Sequence, residues 1–217
     1  RRRRRAPPGT IDPMASVFDP SRQHGDLDAK LVVGLERLGQ ALRSLQRNEA
    51  QRHGLSPLQL QLLIQLHHGG QTDGRVSAMA DRFDVRSPTI SDAVATLIDK
   101  GLAERRPSAS DRRVREIVPT AAGVALVARA DGWAEDLRRT LGAMPKAAKL
   151  ASYDLVTSLL AALFDQGVVS VARLCRTCRF LEVAPATGAP YRCGLLRTDM
   201  QAEALRLDCP EHEVAAP

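Results

Sequence analysis

Residues 85–120 read VRSPTISDAVATLIDKGLAERRPSASDRRVREIVPT, and this stretch decides the fold. It predicts a short helix over 87–100, since Ser87 is a favoured N-cap and Pro88 suits the first helical turn, where its missing amide hydrogen would have no partner within the helix. Gly101 stands where many helices end in a left-handed residue. Two short strand-like runs follow. A helix succeeded by a hairpin is the layout of a winged helix-turn-helix.

The predicted helix has two different faces. Apolar side chains recur at helical spacing on one face, which we expect to pack on a core: Ile90, Val94, Leu97 and Ile98. The other face carries short polar side chains, namely Ser87, Thr89, Ser91, Asp92 and Thr96. Such groups allow a helix to approach base edges and phosphates in the major groove of DNA. Taken alone, this face would favour a solvated surface over a DNA contact.

A basic hairpin after the helix makes DNA binding the better interpretation. We predict a wing over 102–118, with a turn marked by Pro107, Ser108 and Ser110. Between Lys100 and Arg115 there are six basic residues and two acidic ones. Guanidinium groups on a loop tip suit phosphates and a narrow minor groove.

Two further helices are predicted before this stretch. SAMADRF at 77–83 forms the positioning helix of a helix-turn-helix, and residues 84–86 form the turn. Upstream, Ser56 and Pro57 repeat the start signature of a helix, which continues through buried leucines to the glycines at 69–70. The lobe therefore has three helices and a hairpin.

Three segments resemble the MarR family of bacterial transcriptional regulators: LSPLQLQLLIQL at 55–66, MADRFDVRSPTISDAVATLIDKGLAERRPSASDRR at 79–113, and VPTAAG at 118–123. The resemblance extends over 28–164. It implies a homodimer with two winged-helix lobes that binds a palindromic operator in double-stranded DNA, and it assigns the recognition helix to 87–100.

The resemblance also implies which side chains meet DNA. In the wing, Asp111 and Arg113 match the family's Asp-x-Arg motif, in which the aspartate orients the arginine, so Asp111 has a supporting role. The expected DNA-binding residues are Arg86, Ser87, Pro88, Thr89, Ser91, Asp92, Arg105, Arg112 and Arg113. Asp92 departs from the pattern, because many relatives carry a basic or neutral group there, and this leaves open which bases are read.

Helices on both sides of the lobe are predicted to form a dimer interface. Leucines at alternating spacings of four and three follow the pattern of a helix seam: Leu31, Leu35, Leu38, Leu42 and Leu45. A long helix is expected after Thr120, and a later helix presents apolar residues at helical spacing, namely Leu150, Tyr153, Val156, Leu160, Leu163 and Phe164. These helices could instead close the core of a monomer. The dimer is favoured because a palindromic operator needs paired readers.

All four cysteines lie in the last fifth of the chain, at Cys175, Cys178, Cys193 and Cys209. The CxxC pair places two thiols within reach of one metal. The sequence shows no secretory segment, so a reducing cytoplasm is expected and disulfides are disfavoured. We therefore predict one metal centre per chain on four thiolates, with disulfides or unrelated free thiols as the alternatives.

The metal itself stays open at this point. Zinc ribbons usually show two close cysteine pairs, whereas Cys193 and Cys209 stand alone after gaps of 14 and 15 residues. A CxxC followed by two distant cysteines, the last before Pro210, also resembles iron–sulfur patterns, including those of high-potential iron–sulfur proteins. An iron–sulfur cluster would suit a redox, oxygen or iron sensor, whereas zinc would act as a structural staple.

The predicted fold is mainly α with a small β-wing (α+β): a winged helix-turn-helix lobe with N- and C-terminal dimerisation helices, followed by a small four-cysteine metal-binding tail. We expect domains at 1–26, 27–167 and 168–217. The first is a flexible leader, either a translated upstream stretch or a phosphate-binding arm. The net charge of +6 depends on it, since residues 14–217 hold 26 basic against 24 acidic side chains.

The predicted function is a cytoplasmic, sequence-specific DNA-binding regulator, most simply a repressor. Its four-cysteine tail either senses redox state, iron or oxygen through an iron–sulfur cluster or is held together by a structural zinc ion. One alternative is a repressor that responds to a small-molecule effector, with the tail as a zinc staple or protein-interaction module. A metal-thiolate enzyme is disfavoured, because four cysteine ligands close a zinc shell and no Ser/His/Asp or paired-carboxylate set stands out. No apolar run is expected to reach the length of a membrane span, so no membrane partner is predicted.

Overall fold

The computed structural model describes residues 16–20, 24–69, 74–108, 115–169 and 173–215 of the chain. The helices among these residues are α1 (Leu27–Arg52), α2 (Pro57–His68), α3 (Val76–Phe83), α4 (Ser87–Asp99), α5 (Ala121–Ala130), α6 (Glu135–Gly142) and α7 (Lys146–Asp165). The strands are β1 (Ala103–Pro107), β2 (Arg115–Pro119), β3 (Leu181–Val183), β4 (Tyr191–Cys193) and β5 (Thr198–Met200). The prediction of a mainly helical fold with a small β-wing is confirmed.

One apolar core holds α2, α3, α4 and α5 together with the base of the hairpin. Its fully buried large side chains are Leu60, Leu62, Leu63, Met79, Ile90, Val94, Leu97 and Val127. The stripe predicted on α4 is confirmed, with Ile98 partly buried beside it. Because each such side chain contributes about 1.5–3 kcal/mol when it is buried, the stripe fixes which face of α4 points away from the core.

The starts of α2 and α4 differ. At α2, Ser56 Oγ accepts from the Gln59 amide at 3.2 Å and Gln59 Oε1 accepts from the Ser56 amide at 2.9 Å, a complete capping box. At α4 the cap position is Arg86, whose carbonyl accepts from the Thr89 amide at 3.0 Å, and no side chain caps the helix. The predicted N-cap role of Ser87 was therefore wrong, because Ser87 is already inside the first turn.

The helix-turn-helix lies where the sequence places it. The α3 helix ends at Phe83, and Asp84 turns the chain with a left-handed φ of 51°. The Val85 amide then donates to the Ala80 carbonyl at 3.1 Å, which closes the turn onto α3 before α4 begins. The turn thus fixes the angle at which α4 leaves α3.

The wing strands β1 and β2 pair antiparallel, from Ala103 opposite Pro119 to Pro107 opposite Arg115. Pro107, expected in the turn, is instead the last residue of β1, since a strand end tolerates a residue without an amide hydrogen. Residues 109–114, the tip of the wing, lie outside the described residues. The base is tied to α4 by Thr120 Oγ1, which donates to the Gly101 carbonyl at 2.7 Å.

The expected long helix after Thr120 is interrupted, so that prediction was wrong. The α5 helix ends at Ala130, a 3-10 turn spans Asp131–Ala134, and α6 begins only at Glu135. Gly132 lies in this turn, and glycine is a poor helix former. The long apolar helix of this half of the chain is instead α7.

The tail after α7 is a small unit that consists of a three-stranded sheet and a last segment paired with the first. The strands β3, β4 and β5 form an antiparallel sheet in that order. The final segment then runs back along the first, since the Cys175 amide donates to the Arg206 carbonyl and the Cys209 amide to the Arg173 carbonyl, both at 2.9 Å. Leu174 and Leu205 are buried between these segments and α7.

The α7 helix corrects the expectation about apolar runs. At 20 residues it is long and apolar enough to cross a membrane by length and composition alone. Only 6% of its most apolar 18-residue stretch is buried. One such helix is weak evidence for a membrane span, because an apolar helix that awaits a partner subunit has the same composition.

Candidate nucleic-acid interface and cysteine cluster

The predicted DNA-contacting residues of α4 lie together at its N-terminal end. Five of these residues are exposed and Ser91 is half-buried beside them; the exposed ones are Arg86, Ser87, Pro88, Thr89 and Asp92. Ile90, between them in sequence, is fully buried in the core. The first turn of α4 therefore presents short polar side chains and one arginine on the surface of the lobe.

The other end of α4 is held firmly. Gly101 has a φ of 68°, its amide donates to the Ile98 carbonyl at 2.8 Å, and the Leu102 amide donates to the Leu97 carbonyl at 2.9 Å. Lys100 Nζ also donates to the Gly54 carbonyl at 3.0 Å, which ties α4 to the loop before α2. The left-handed stop predicted at Gly101 is confirmed, and it fixes where the wing begins.

The described part of the wing carries basic side chains on its surface. Arg105 is exposed on β1 and Arg115 is exposed at the start of β2. Arg106 forms an ion pair with Glu104 within the same strand. Asp111, Arg112 and Arg113 lie outside the described residues, so their contacts with DNA stay a prediction.

The four cysteines surround one small cavity. Cys175, Cys178, Cys193 and Cys209 all line it, all are free thiols, and all are partly buried. Apolar side chains complete the wall, chiefly Phe180, Leu181, Leu195, Leu196 and Met200. Residues up to 34 positions apart thus line one cavity, while a metal centre on the four thiols stays a prediction.

The cavity has a volume of about 30 Å³. Among the residues the structure describes, no group of three or more Cys, His, Asp or Glu side chains is arranged to hold a metal ion.

The Cys175 thiol has the most distinctive surroundings of the four. The Arg206 amide donates to Cys175 Sγ at 3.2 Å. Burial raises the pKa of the Cys175 thiol, the Arg206 amide opposes this, and the thiols of Cys209, Cys178 and Cys193 raise it further. His212 does not line the cavity; its Nε2 lies 2.9 Å from Thr177 Oγ1.

The tail is attached to two separate parts of the main domain. On α7, Tyr153 donates its hydroxyl to the Leu205 carbonyl at 2.5 Å, and Arg176 Nε donates to Thr157 Oγ1 at 2.8 Å. On α3, Arg82 forms an ion pair with Asp208. The cysteine loops therefore contact both the long apolar helix and the helix-turn-helix.

Arg82 and Asp208 are functional candidates that sequence reasoning missed. They are separated by 126 positions, and neither belongs to a motif. The one signal was that Asp208 adjoins Cys209, a predicted metal ligand. Residues around such ligands often form the hydrogen bonds and ion pairs that hold the ligands in place. Nothing in the sequence pointed to Arg82 as its partner.

Comparison with known proteins agrees with this geometry. Residues 53–114 match the family model for the MarR family, and no curated protein matches the sequence. CouR from Rhodococcus jostii RHA1, solved with p-coumaroyl-CoA, is similar in structure with a TM-score of 0.53 and 20% identity, over 62% of this chain and 94% of CouR. The MepR–DNA complex of Staphylococcus aureus gives 0.52 and 20%, over 59% of this chain and 93% of MepR.

The family match begins directly after α1 and spans α2, the helix-turn-helix and strand β1 of the wing. The cysteine tail lies outside it. At 20% identity the two solved structures establish the fold and no more. The match at 53–114 covers less than a third of the chain, so it shows similarity to the MarR family over the helix-turn-helix and the start of the wing. Proteins of that family are transcription regulators rather than enzymes.

Proposed function

We propose that this chain is a sequence-specific regulator of transcription, a repressor, that binds double-stranded DNA as a homodimer in the cytoplasm. The observation that carries the proposal is the exposed first turn of α4, whose side chains are mostly short and polar. It lies beside a basic wing on a MarR-type lobe. The MepR structure of the same fold was solved with DNA. In this chain the first turn of α4 would enter the major groove while the wing lies along the backbone.

The roles of the individual side chains follow from their lengths and charges. Thr89 and Ser91 are short enough to meet base edges directly, and so they would contribute specificity. Arg86, Arg105, Arg112 and the motif arginine of the wing would contact phosphates and set the register on the duplex. Asp111 would orient that arginine, and Asp92 would repel phosphate.

The dimer is supported by apolar surface that a single chain leaves open. On α1, Leu31, Leu35, Leu38 and Leu45 are all exposed, with Leu38 at 47%. Leu155, Leu159 and Leu163 of α7 are exposed as well. Two leucine faces of this kind are too apolar for a monomer surface, so the alternative that they close a monomer's core is not favoured. A second copy, related by two-fold symmetry, would cover them and pair the two recognition helices.

The cysteine tail would hold one metal centre per chain, which either senses a signal or staples the fold. The grouping of all four thiols around one apolar cavity supports this part of the proposal. A small-molecule effector is the second candidate signal, because CouR, which shares the fold, was solved with p-coumaroyl-CoA. The two signals are not exclusive, since they would use different parts of the chain.

Selection from a random library of DNA duplexes tests the proposal. The purified full-length chain is expected to enrich a palindromic motif whose half-sites are centred about one helical turn, roughly 10 base pairs, apart. A double variant, Thr89→Ala with Ser91→Ala, should enrich a relaxed motif. Recovery of no motif after repeated rounds would refute sequence-specific binding.

A further inference from the structure

We infer that a metal centre on the four cysteine thiols folds the tail and that the folded tail holds α7 in position, so that loss of the metal weakens the dimer. The inference rests on the proposed function, since it names what the proposed metal centre regulates. Its two steps use different contacts: the thiols within the tail, and the contacts between the tail and α7.

The tail has little apolar core of its own. Among the described residues 173–215, the large apolar side chains that are buried are Leu174 and Leu205. Five others are exposed: Val183, Leu195, Leu196, Leu207 and Val214. Units of fewer than about 70 residues rarely fold on so small a core, and they usually depend on disulfides, a metal or contact with another surface.

Four free thiols stand where this apolar core is small. Cys175, Cys178, Cys193 and Cys209 line one cavity, and none of them forms a disulfide. A thiophilic metal is the class of ligand that four thiols bind in common. No group of the described side chains is arranged for an ion beforehand, so metal binding and folding of the tail would occur together. The free energy of metal binding would then contribute to the folding of the tail.

The tail lies on α7 through a residue inside the CxxC motif. Arg176, next to Cys175, donates from Nε to Thr157 Oγ1 at 2.8 Å and forms an ion pair with Asp154. Thr157 is only 1% exposed, so this contact is shielded from solvent. The CxxC turn therefore packs directly on α7.

A second contact joins α7 to the segment on the other side of the same cysteine. The Tyr153 hydroxyl donates to the Leu205 carbonyl at 2.5 Å. The next residue, Arg206, donates its amide to Cys175 Sγ at 3.2 Å, and its carbonyl accepts from the Cys175 amide at 2.9 Å. Both segments that meet at Cys175 are thus held to α7, and order at this thiol means order at the α7 contact.

Within its own chain, α7 packs chiefly on the tail. Among the described elements, those that contact it most are two 3-10 turns of the tail, Cys175–Thr177 and Ala202–Ala204. The helices α2, α3, α4 and α5 pack instead on one another and on the wing. Most of the stability of a protein helix comes from such packing. An unfolded tail therefore deprives α7 of its main support in the chain.

The tail and a partner subunit can occupy α7 together. Tyr153 and Thr157 contact the tail, whereas three leucines are exposed: Leu155, Leu159 and Leu163. Residues two positions apart on a helix point away from each other, so the leucines lie on the side away from the tail. The proposed dimer would use this leucine face. A helix that its own chain does not hold must be ordered when the partner binds, which lowers the affinity.

The first experiment follows amide hydrogen exchange in the full-length chain with and without its metal. Zinc, iron and acid-labile sulfide are measured on the purified chain. The metal is then removed with a chelator and a reductant in the absence of oxygen, and either zinc or ferrous iron with sulfide is added back. We expect peptides from the tail and α7 to exchange at least about tenfold faster without metal, and peptides from α2, α3 and α4 to be unchanged.

Either addition can restore the protection, and the one that does so identifies the centre as zinc or iron–sulfur. A chain that binds neither would overturn the inference. So would a tail and α7 that exchange at the same rate with and without metal.

Two cavity variants sharpen this experiment. Cys178→Ser should hold no metal and exchange like the metal-free chain. Met200→Leu, which alters the same cavity without removing a thiol, should behave like the parent. If Cys178→Ser does not fold at all, the metal-free parent still decides. A folded Cys178→Ser chain that holds no metal yet protects α7 fully would contradict the first step.

The second experiment measures the dimer dissociation constant of the loaded and the metal-free chain by analytical ultracentrifugation. We expect the dimer to be about tenfold weaker without metal. Thr157→Arg places a large charged side chain against Arg176 and removes no thiol, so it should bind metal in full and dimerise as weakly as the metal-free parent. Ser158→Arg, the same change at an exposed neighbouring position of α7, is the control and should dimerise like the loaded parent.

Two outcomes would overturn the second step: a Thr157→Arg chain that dimerises like the loaded parent, or a parent whose dimer is unaffected by metal. The two experiments also separate this inference from the proposed function. A chain that dimerises equally in both states and still binds its selected duplex is a regulator that its tail does not control. A chain that is monomeric in both states loses the proposed dimer and the second step, while hydrogen exchange still decides the first.

Discussion

Asp208, the residue before Cys209, forms an ion pair with Arg82 at the end of α3, across 126 positions of sequence. The Arg82 side chain is 26% exposed, so the pair is partly shielded from solvent. It joins the cysteine tail to the helix-turn-helix directly. The tail is therefore attached to the helix that precedes α4.

The wing arginine gives the first prediction. Arg113→Ala should weaken binding to the selected duplex by about 1–3 kcal/mol and lower the slope of log affinity against log salt by about one, because one phosphate contact is lost. Fluorescence anisotropy over a salt series measures both. Arg138→Ala, at an exposed arginine that pairs with Glu135 on α6, is the control and should change neither. An unchanged affinity in Arg113→Ala would remove the wing assignment.

Asp92 gives a prediction of the opposite sign. It is exposed on the proposed DNA-facing side of α4, and its backbone carbonyl accepts from Thr96 Oγ1 at 3.0 Å. Asp92→Asn removes a negative charge and should tighten binding several-fold at low salt, with the gain shrinking as salt rises. Asp99→Asn, at the far end of α4, should have little effect. Weaker binding by Asp92→Asn would show that the carboxylate makes a favourable contact.

The leucine face of α1 predicts the oligomeric state. Leu38→Glu places a charge at the centre of the proposed seam and should shift the chain from dimer to monomer, because a buried unpaired carboxylate costs several kcal/mol. Analytical ultracentrifugation across a concentration series measures the shift. Arg47→Glu, also exposed on α1 but away from the leucines, should remain dimeric. A Leu38→Glu chain with the same mass as the parent would place the interface elsewhere.

Gly123 lies so close to neighbouring atoms that a larger residue there should destabilise the fold. Comparison with Gly142, which has open space around it, separates this steric effect from the helix propensity of alanine. A Cβ atom there would lie 2.0 Å from the Leu102 carbonyl oxygen and 3.2 Å from Leu63 Cδ1, whereas at Gly142 nothing lies within 4 Å. Gly123→Ala should therefore lower the free energy of unfolding by about 1–3 kcal/mol or more. Gly142→Ala should leave it unchanged or raise it slightly. Urea titrations compare the two, and equal midpoints would contradict the packing of α5 against the wing base.

Local signals in the sequence predicted the lobe well. The spacing of Ile90, Val94 and Leu97 identified the buried face of α4, and Gly101 marked its end, because both depend on neighbours within a few residues. The capping box at Ser56 is equally local. The error at Ser87 was one of position only, since Pro88 permits either residue to start the helix.

Contacts between segments distant in the chain could not be predicted from local sequence patterns. Nothing local distinguishes the break between α5 and α6, where a glycine within an otherwise helical pattern could have been tolerated. Cysteine spacing predicted a shared site but not how far apart the thiols stand, because that depends on how the final segment pairs with the start of the tail. The Arg82–Asp208 pair depends on the same tertiary arrangement.

The most direct test of the central claim is the affinity of the full-length chain for its selected duplex against a base-scrambled duplex of equal length and composition, at several salt concentrations. The account predicts at least about 1,000-fold tighter binding to the selected duplex at physiological salt, with a steep salt dependence for both. Equal affinity for the two duplexes, or no binding to either, would contradict a sequence-specific regulator.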